Sequence, residues 1–138
     1  MKTVKQLFVL FLFISASMFA NENAVKDVVS KFKNDVMKKN VSGVEAVVYS
    51  NAVFVSLNKI TNSKDDIDRD TFVKYVKMGR VGVRAKNVSV KSVTVKGDYA
   101  SALVTIENKK LIQEEFVTLL KVDGNWKIVS SMYSIKKK

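Results

Sequence analysis

Two β-rich runs meet at Asp123-Gly124 within EFVTLLKVDGNWKIVSSMY, the stretch from Glu115 to Tyr133. An Asp-Gly pair between apolar runs is a strong short-range hairpin signal, because a two-residue type I′ turn requires φ > 0 at both central positions. Val122 and Asn125 are expected to close the turn, and Trp126 to open the returning strand. Apolar residues occupy both parities of the first arm: Phe116, Leu120 and Val122 on one, Val117 and Leu119 on the other. A strand with one wet face alternates cleanly, so this pattern predicts that the outer face is covered too.

The same period of two runs back from the hairpin. Leu111 to Val122 reads as a long strand, preceded by a polar turn at Asn108 to Lys110. Tyr99 to Ile106 is a strand with Ala100, Ala102, Val104 and Ile106 on one face. Lys96-Gly97-Asp98 is a turn. Val88 and Val90 share one parity and Val93 and Val95 the other, which predicts a β-bulge at Lys91-Ser92. Upstream of Arg80 the period becomes helical. Val25, Val28, Val29, Phe32 and Val36 form one stripe of a helix over Asn23 to Asn40, with Lys26, Lys31, Lys33, Lys38 and Lys39 off it. Ser42 is the expected cap of a short second helix, with Glu45 at capping-box spacing and Val44, Val47 and Val48 inward. Ala52 to Leu57 reads as a short strand and Asn58 to Asp70 as a polar, acidic loop. Asp70 is the expected cap of a helix over Thr71 to Met78, which Gly79 ends as a left-handed residue. Helices followed by antiparallel strands on short turns define an α+β layer.

The chain begins with Lys2 and Lys5, an apolar run Leu7 to Ile14, and small residues Ser15, Ala16, Ser17 and Ala20. This is the pattern of an export signal. Residues 1–20 are therefore expected to be a signal peptide and residues 21–138 a single domain, periplasmic or secreted. The apolar run falls short of the roughly 20 residues a spanning helix needs, so no membrane span is expected after cleavage.

Composition removes several chemistries. The 138 residues hold no histidine, cysteine or proline. No Ser-His-Asp triad, imidazole acid–base, thiolate nucleophile or His/Cys metal site can be built. Asp65, Asp66, Asp68 and Asp70 have oxygen ligands but lack the glycine and the twelfth-position glutamate of an EF-hand, so no metal is expected. The net charge of +11 is mostly lysine spread along the chain. Lysine is a hydrated point charge without the planar fork of arginine, which argues against nucleic-acid recognition and for a solvated basic surface.

The order of elements from about Ala24 to Ile135, with the closing FVTLLKVDGNWKIVSSMY, resembles the nuclear transport factor 2-like superfamily. The closing motif is similar to its lumazine-binding and polyketide-cyclase-like branches. The resemblance implies N-terminal helices packed on a strongly curved antiparallel sheet, a cavity between them, and a homodimer formed through the sheet. On that expectation Tyr49, Phe54, Phe72, Tyr75 and Trp126 are candidate lining residues for a small apolar or aromatic ligand. Some enzymes of this superfamily pair a pocket carboxylate with a tyrosine or protonated aspartate. Glu114, on the parity of Phe116, is the candidate carboxylate, and Tyr49, Tyr75, Tyr99 and Tyr133 are candidate donors. The expected function is an exported ligand-binding or accessory domain with an apolar pocket and no cofactor. The alternatives are a carboxylate–tyrosine isomerase, cyclase or dehydratase, and an interaction module that uses its basic surface.

Overall fold

The computed structural model describes residues 2–85 and 88–138, with side-chain surroundings from Phe19 onward. Nine elements follow in order: α1 (Lys2–Lys38), α2 (Val41–Val47), β1 (Val48–Asn58), β2 (Ser63–Asp68), α3 (Arg69–Met78), β3 (Val88–Lys96), β4 (Tyr99–Glu107), β5 (Leu111–Val122) and β6 (Asn125–Lys137). The strands form one sheet in the order β2-β1-β6-β5-β4-β3. The fold is α+β, three helices on a six-stranded sheet, as the pattern of periods predicts. The sheet is mixed rather than wholly antiparallel, because β1 runs parallel to β6. The crossover from β1 to β6 passes through the whole remaining chain, so short-range turn signals carry no trace of it.

The segment of α1 read as an export signal is helical and continuous with the rest of α1, and its side chains up to Met18 lie outside the described residues. Among the described residues no helix is long and apolar enough to cross a membrane. Further along, Val25, Val29, Phe32 and Val36 are buried against the sheet. Each fully buried valine or phenylalanine contributes about 1.5–3 kcal/mol relative to exposure. Lys33 departs from expectation: it is buried, not off the stripe. It stands four residues after Val29 and three before Val36, spacings that share a helix face. Lys39, at φ 58°, ends α1 in the left-handed conformation, and the Asn40 amide donates back to the Asp35 carbonyl at 2.8 Å.

Both expected helix caps fall two residues early in the chain. Asn40, not Ser42, caps α2, its side-chain oxygen accepting from the Gly43 amide at 3.3 Å. The Asn40 amide group also donates to Asp35, which ties the cap to α1. Asp68, not Asp70, caps α3: it ends β2 in extended backbone (ψ 173°), and its carboxylate accepts from the Thr71 amide at 2.8 Å. Gly79 ends α3 at φ 67° as predicted. The acidic loop contains a strand, β2, paired antiparallel with β1. It escapes the alternation test because it is an edge strand on which only Ile67 is partly buried; charged residues on an edge are the usual protection against further pairing.

The sheet elements after Arg80 match expectation closely. Asp123 and Gly124 take φ 49° and 77°, and Val122 pairs with Asn125. The β3–β4 register slips between Val90 and Ser92, leaving Lys91 as the bulged residue.

Candidate ligand cleft

Alternation along three neighbouring strands brings one set of side chains to the helix-facing side at one end of the sheet. Phe54, Ser56 and Asn58 come from β1; Ser63, Asp65 and Ile67 from β2; Tyr133 and Ile135 from β6. The register makes these rows: Ile67 stands opposite Phe54, Asp65 opposite Ser56, and Ser56 opposite Tyr133. The left-handed turn at Gly79 carries the chain from α3 back across this end, so Arg80 and Gly82 join Tyr75 of α3 as the other wall. Together they bound a cleft of about 450 Å³. Phe54 forms its floor and is buried; its ring lies 3.7 Å from that of Phe72 at 8° between planes, with Phe32 stacked behind both.

Beside this floor lies a buried polar node. Lys33 of α1 reaches down to Glu115 of β5, their side chains 4% and 0% exposed. The same Glu115 oxygen, Oε1, also accepts from the Ser131 hydroxyl. Oε2 accepts from the Gln113 amide at 2.9 Å, and the Gln113 oxygen accepts from the Val83 backbone amide at 2.8 Å. Donors thus engage both carboxylate oxygens, and the node joins α1, β5, β6 and the segment after α3. Lys33 also sits 4.5 Å from the centroid of the Phe32 ring.

Tyr133 stands between the node and the cleft, opposite Glu115 on one side and Ser56 on the other. Burial pushes its hydroxyl pKa up; a hydrogen bond with Ser56 works the other way, and the charges of Glu115 and Asp65 raise it further. At neutral pH Tyr133 therefore presents a neutral hydroxyl, able to donate or accept but not to act as an anionic base.

The structure separates the sequence candidates. Phe54 and Tyr75 line the cleft. Phe72 lies behind Phe54, in the core. Trp126 is buried at the hairpin end of the sheet with the Lys121 ammonium 5.6 Å from its ring, and Tyr49 is exposed near the start of β1; neither borders the cleft. Glu114 is on the face turned away from the helices, bonded to Lys136 at 2.7 Å, so the parity shared with Phe116 leads to the outer groove described below and not to this cleft. Glu115, on the parity of Val117 and Leu119, is the inward carboxylate; that alternation was a usable signal. Ser56, Asp65 and Arg80 had none, because Asp65 meets Ser56 only through the β1–β2 edge pairing, Ser56 meets Tyr133 only through the parallel β1–β6 pairing, and Arg80 arrives through the return at Gly79. Asp65 and Asp66 are successive residues of a strand and take opposite faces.

On the outer face, Leu103, Phe116, Met132 and Val55 stand side by side across four strands. With Leu57 they line a shallow groove of about 370 Å³. Phe116 is 41% and Met132 51% exposed.

This combination of helices on a mixed six-stranded sheet is the nuclear transport factor 2-like fold. An NTF2-like protein of unknown function from Silicibacter pomeroyi DSS-3 superposes with a TM-score of 0.72 at 22% identity, over 83% of this chain and 94% of that one. An NTF2-like protein "of unknown function in nutrient uptake" from Rhodospirillum rubrum ATCC 11170 gives 0.64 at 15% identity, over 81% and 98%. A "putative ketosteroid isomerase" from Shewanella frigidimarina NCIMB 400 gives 0.59 at 19% identity, over 80% and 94%. Within the fold, residues 20–134 match the family described as "Putative lumazine-binding", and the chain belongs to it. None of the curated proteins compared with the chain matches it.

Proposed function

We propose that this is an exported, non-catalytic binding domain that holds a small molecule in the cleft between α3 and the β2-β1-β6 end of the sheet. The cleft itself carries the reading. Its volume, about 450 Å³, lies within the roughly 300–1,000 Å³ of small-molecule sites, and such sites combine apolar walls with a few placed polar groups. Phe54, Ile67 and Ile135 supply apolar wall, Tyr75 and Tyr133 aromatic wall with hydroxyls, and Asp65 and Arg80 charges at an exposed rim. The lining is thus more polar than the apolar pocket expected from sequence. It suits a flat or compact molecule with an apolar body and a hydrogen-bonding edge. Export rests on the N-terminal pattern of Lys2, Lys5 and the Leu7 to Ile14 run.

The enzyme alternative needs a pocket carboxylate free to take a proton beside a tyrosine. Glu115 would have to release Lys33 to do so, and Asp65 sits at the exposed rim of the cleft, where water rather than burial sets its protonation. The outer row Leu103–Phe116–Met132–Val55 supports a homodimer through the sheet, since so contiguous an apolar patch is unusual on a monomer.

Native mass spectrometry of the protein purified from its own envelope tests the binding reading. A stoichiometric small molecule, lost from the Tyr75→Ala and Arg80→Ala variants while the fold persists, is the expected result. Turnover of a candidate substrate that survives Lys33→Met and fails with Glu115→Gln would reverse the assignment.

A further inference from the structure

A second concave site, sharing no lining residue with the cleft, lies where the β4–β5 turn meets the end of β6. Asn108, Lys109, Lys110, Leu111, Lys137 and Lys138 line a depression of about 470 Å³. The turn is built rather than loose. The Asn108 side-chain oxygen accepts from the Lys110 and Leu111 amides, both at 2.9 Å. Its amide group donates to the Arg84 carbonyl at 3.2 Å, and the Lys138 amide donates to the Lys110 carbonyl at 3.0 Å. Lysines from two segments distant in sequence are thereby held on one hollow.

The nearby carboxylates do not neutralise it. Lys138 pairs with Glu107 and Lys136 with Glu114, and among the described residues Lys109, Lys110 and Lys137 have no carboxylate within ion-pairing distance. Three ammonium groups on a concave, exposed surface concentrate positive potential where the like charges already repel one another. A ligand that replaces this repulsion with attraction must be anionic, and repeatedly so.

We propose that this hollow binds a linear polyanion with closely spaced phosphates and no bases, an inorganic polyphosphate chain. Compact lysine ammoniums read charge density along such a chain. The hollow holds no arginine fork and no aromatic ring, the groups that read or stack nucleobases. Its concavity suits a chain rather than a flat bilayer, and the exposed outer row of Leu103, Phe116 and Met132 lies on the sheet face, not in it.

The test is fluorescence anisotropy of labelled inorganic polyphosphate with the full-length mature protein, across a salt series. Lys109, Lys110 and Lys137 are changed together to glutamine. A control triple, Lys26→Gln, Lys74→Gln and Lys77→Gln, removes the same charge from exposed helix positions. The site triple is expected to weaken binding at least tenfold and to flatten the salt dependence by about one unit of slope per lysine. The control is expected to change affinity by less than about threefold, as a charge outside the contact does. All six positions are exposed, so both triples keep the core, and circular dichroism verifies it. Equal loss in the two triples would reduce the effect to net charge and overturn the proposal. Tighter binding to single-stranded DNA of equal charge, or to vesicles containing anionic lipid, would overturn it in favour of those partners.

Discussion

Lys33→Met should be among the most damaging single substitutions in this domain. The ammonium and the Glu115 carboxylate are in contact with side chains 4% and 0% exposed. At an effective dielectric of about 20 their attraction is worth about 4 kcal/mol. Removing one partner of such a pair leaves the other buried and uncompensated, at a cost of about 3–5 kcal/mol. Ser131 and Gln113 still donate to Glu115 in the variant, which places the expected loss near the lower end, about 3 kcal/mol. For a domain of this size that lowers Tm by roughly 12 °C, at about 4 °C per kcal/mol. Glu115→Gln alone should cost a similar amount, because Lys33 is then the orphan. The double variant should recover most of it. The neutral amide introduced on β5 can accept from Gln113 and donate to Ser131, while the methionine introduced on α1 fills the lysine's volume against Phe32. The assay is urea unfolding at pH 7 followed by the fluorescence of Trp126, the only tryptophan and a buried one. With two single losses of about 3 kcal/mol and about 1 kcal/mol left in the double variant, the double-mutant cycle should give a coupling of about 5 kcal/mol. Two small, additive losses would refute the reasoning, and would mean that water reaches the pair.

Four other outcomes follow from the geometry. Gly82→Ala places a Cβ 2.7 Å from the Gln113 side-chain oxygen at a residue with φ 65°, so it should loosen the Val83–Gln113 bond and destabilise by at least about 1 kcal/mol in the same urea assay. Asn40→Ala removes both the α2 cap and a donor to Asp35, for an expected loss of about 1–2 kcal/mol; Asn40→Asp, which keeps the cap oxygen, should restore only part. Burial disfavours ionisation of Asp35, but Lys31 and Asn40 overcome it and hold its pKa below 3.8. Its contribution is therefore complete above that value and lost as pH falls through the lower folded-state pKa; Asp35→Asn should be less stable than the parent at pH 6, and the gap should shrink as pH is taken below about 4. Finally, Phe116→Glu should shift the sedimentation coefficient from dimer to monomer with the fold intact; a parent that is already monomeric at high micromolar concentration would dismiss the covered outer face.

What was legible in the chain was what short-range geometry controls. Asp123-Gly124 dictated its turn because few other dipeptides accept two positive φ values, and the parity slip at Lys91 could only be a bulge. The buried face of α1 followed from the spacing of Val25, Val29, Phe32 and Val36. What stayed hidden depends on which distant strands meet. Nothing local says that β1 will lie parallel to β6, so the rows joining Asp65, Ser56 and Tyr133 could not be drawn. β2 was invisible because an edge strand needs apolar residues on only a fraction of its positions. The site lysine and glutamate were half legible: their spacing pointed inward, but charge made solvent the default reading, and only a partner from another element makes their burial tolerable. The caps were displaced for a similar reason, since Asn40 and Asp68 end other elements as they begin the helices.

The central position of β6 has a consequence for how the chain is made. It is the last strand in sequence, yet it separates β1 from β5 and bonds to both. While a chain emerges from a ribosome or a translocation channel, the sheet before Asn125 can form only as two separate pieces, a β1–β2 hairpin and a β3–β4–β5 meander, each with an open edge and joined only through packing on α1 and the segment after α3. Glu115 waits for Ser131 during the same interval. Folding is thus withheld until synthesis is nearly complete, and then depends on contacts of very large sequence separation, the class that forms slowly. Under the export proposed above, late closure would keep the chain in the form a translocation channel accepts.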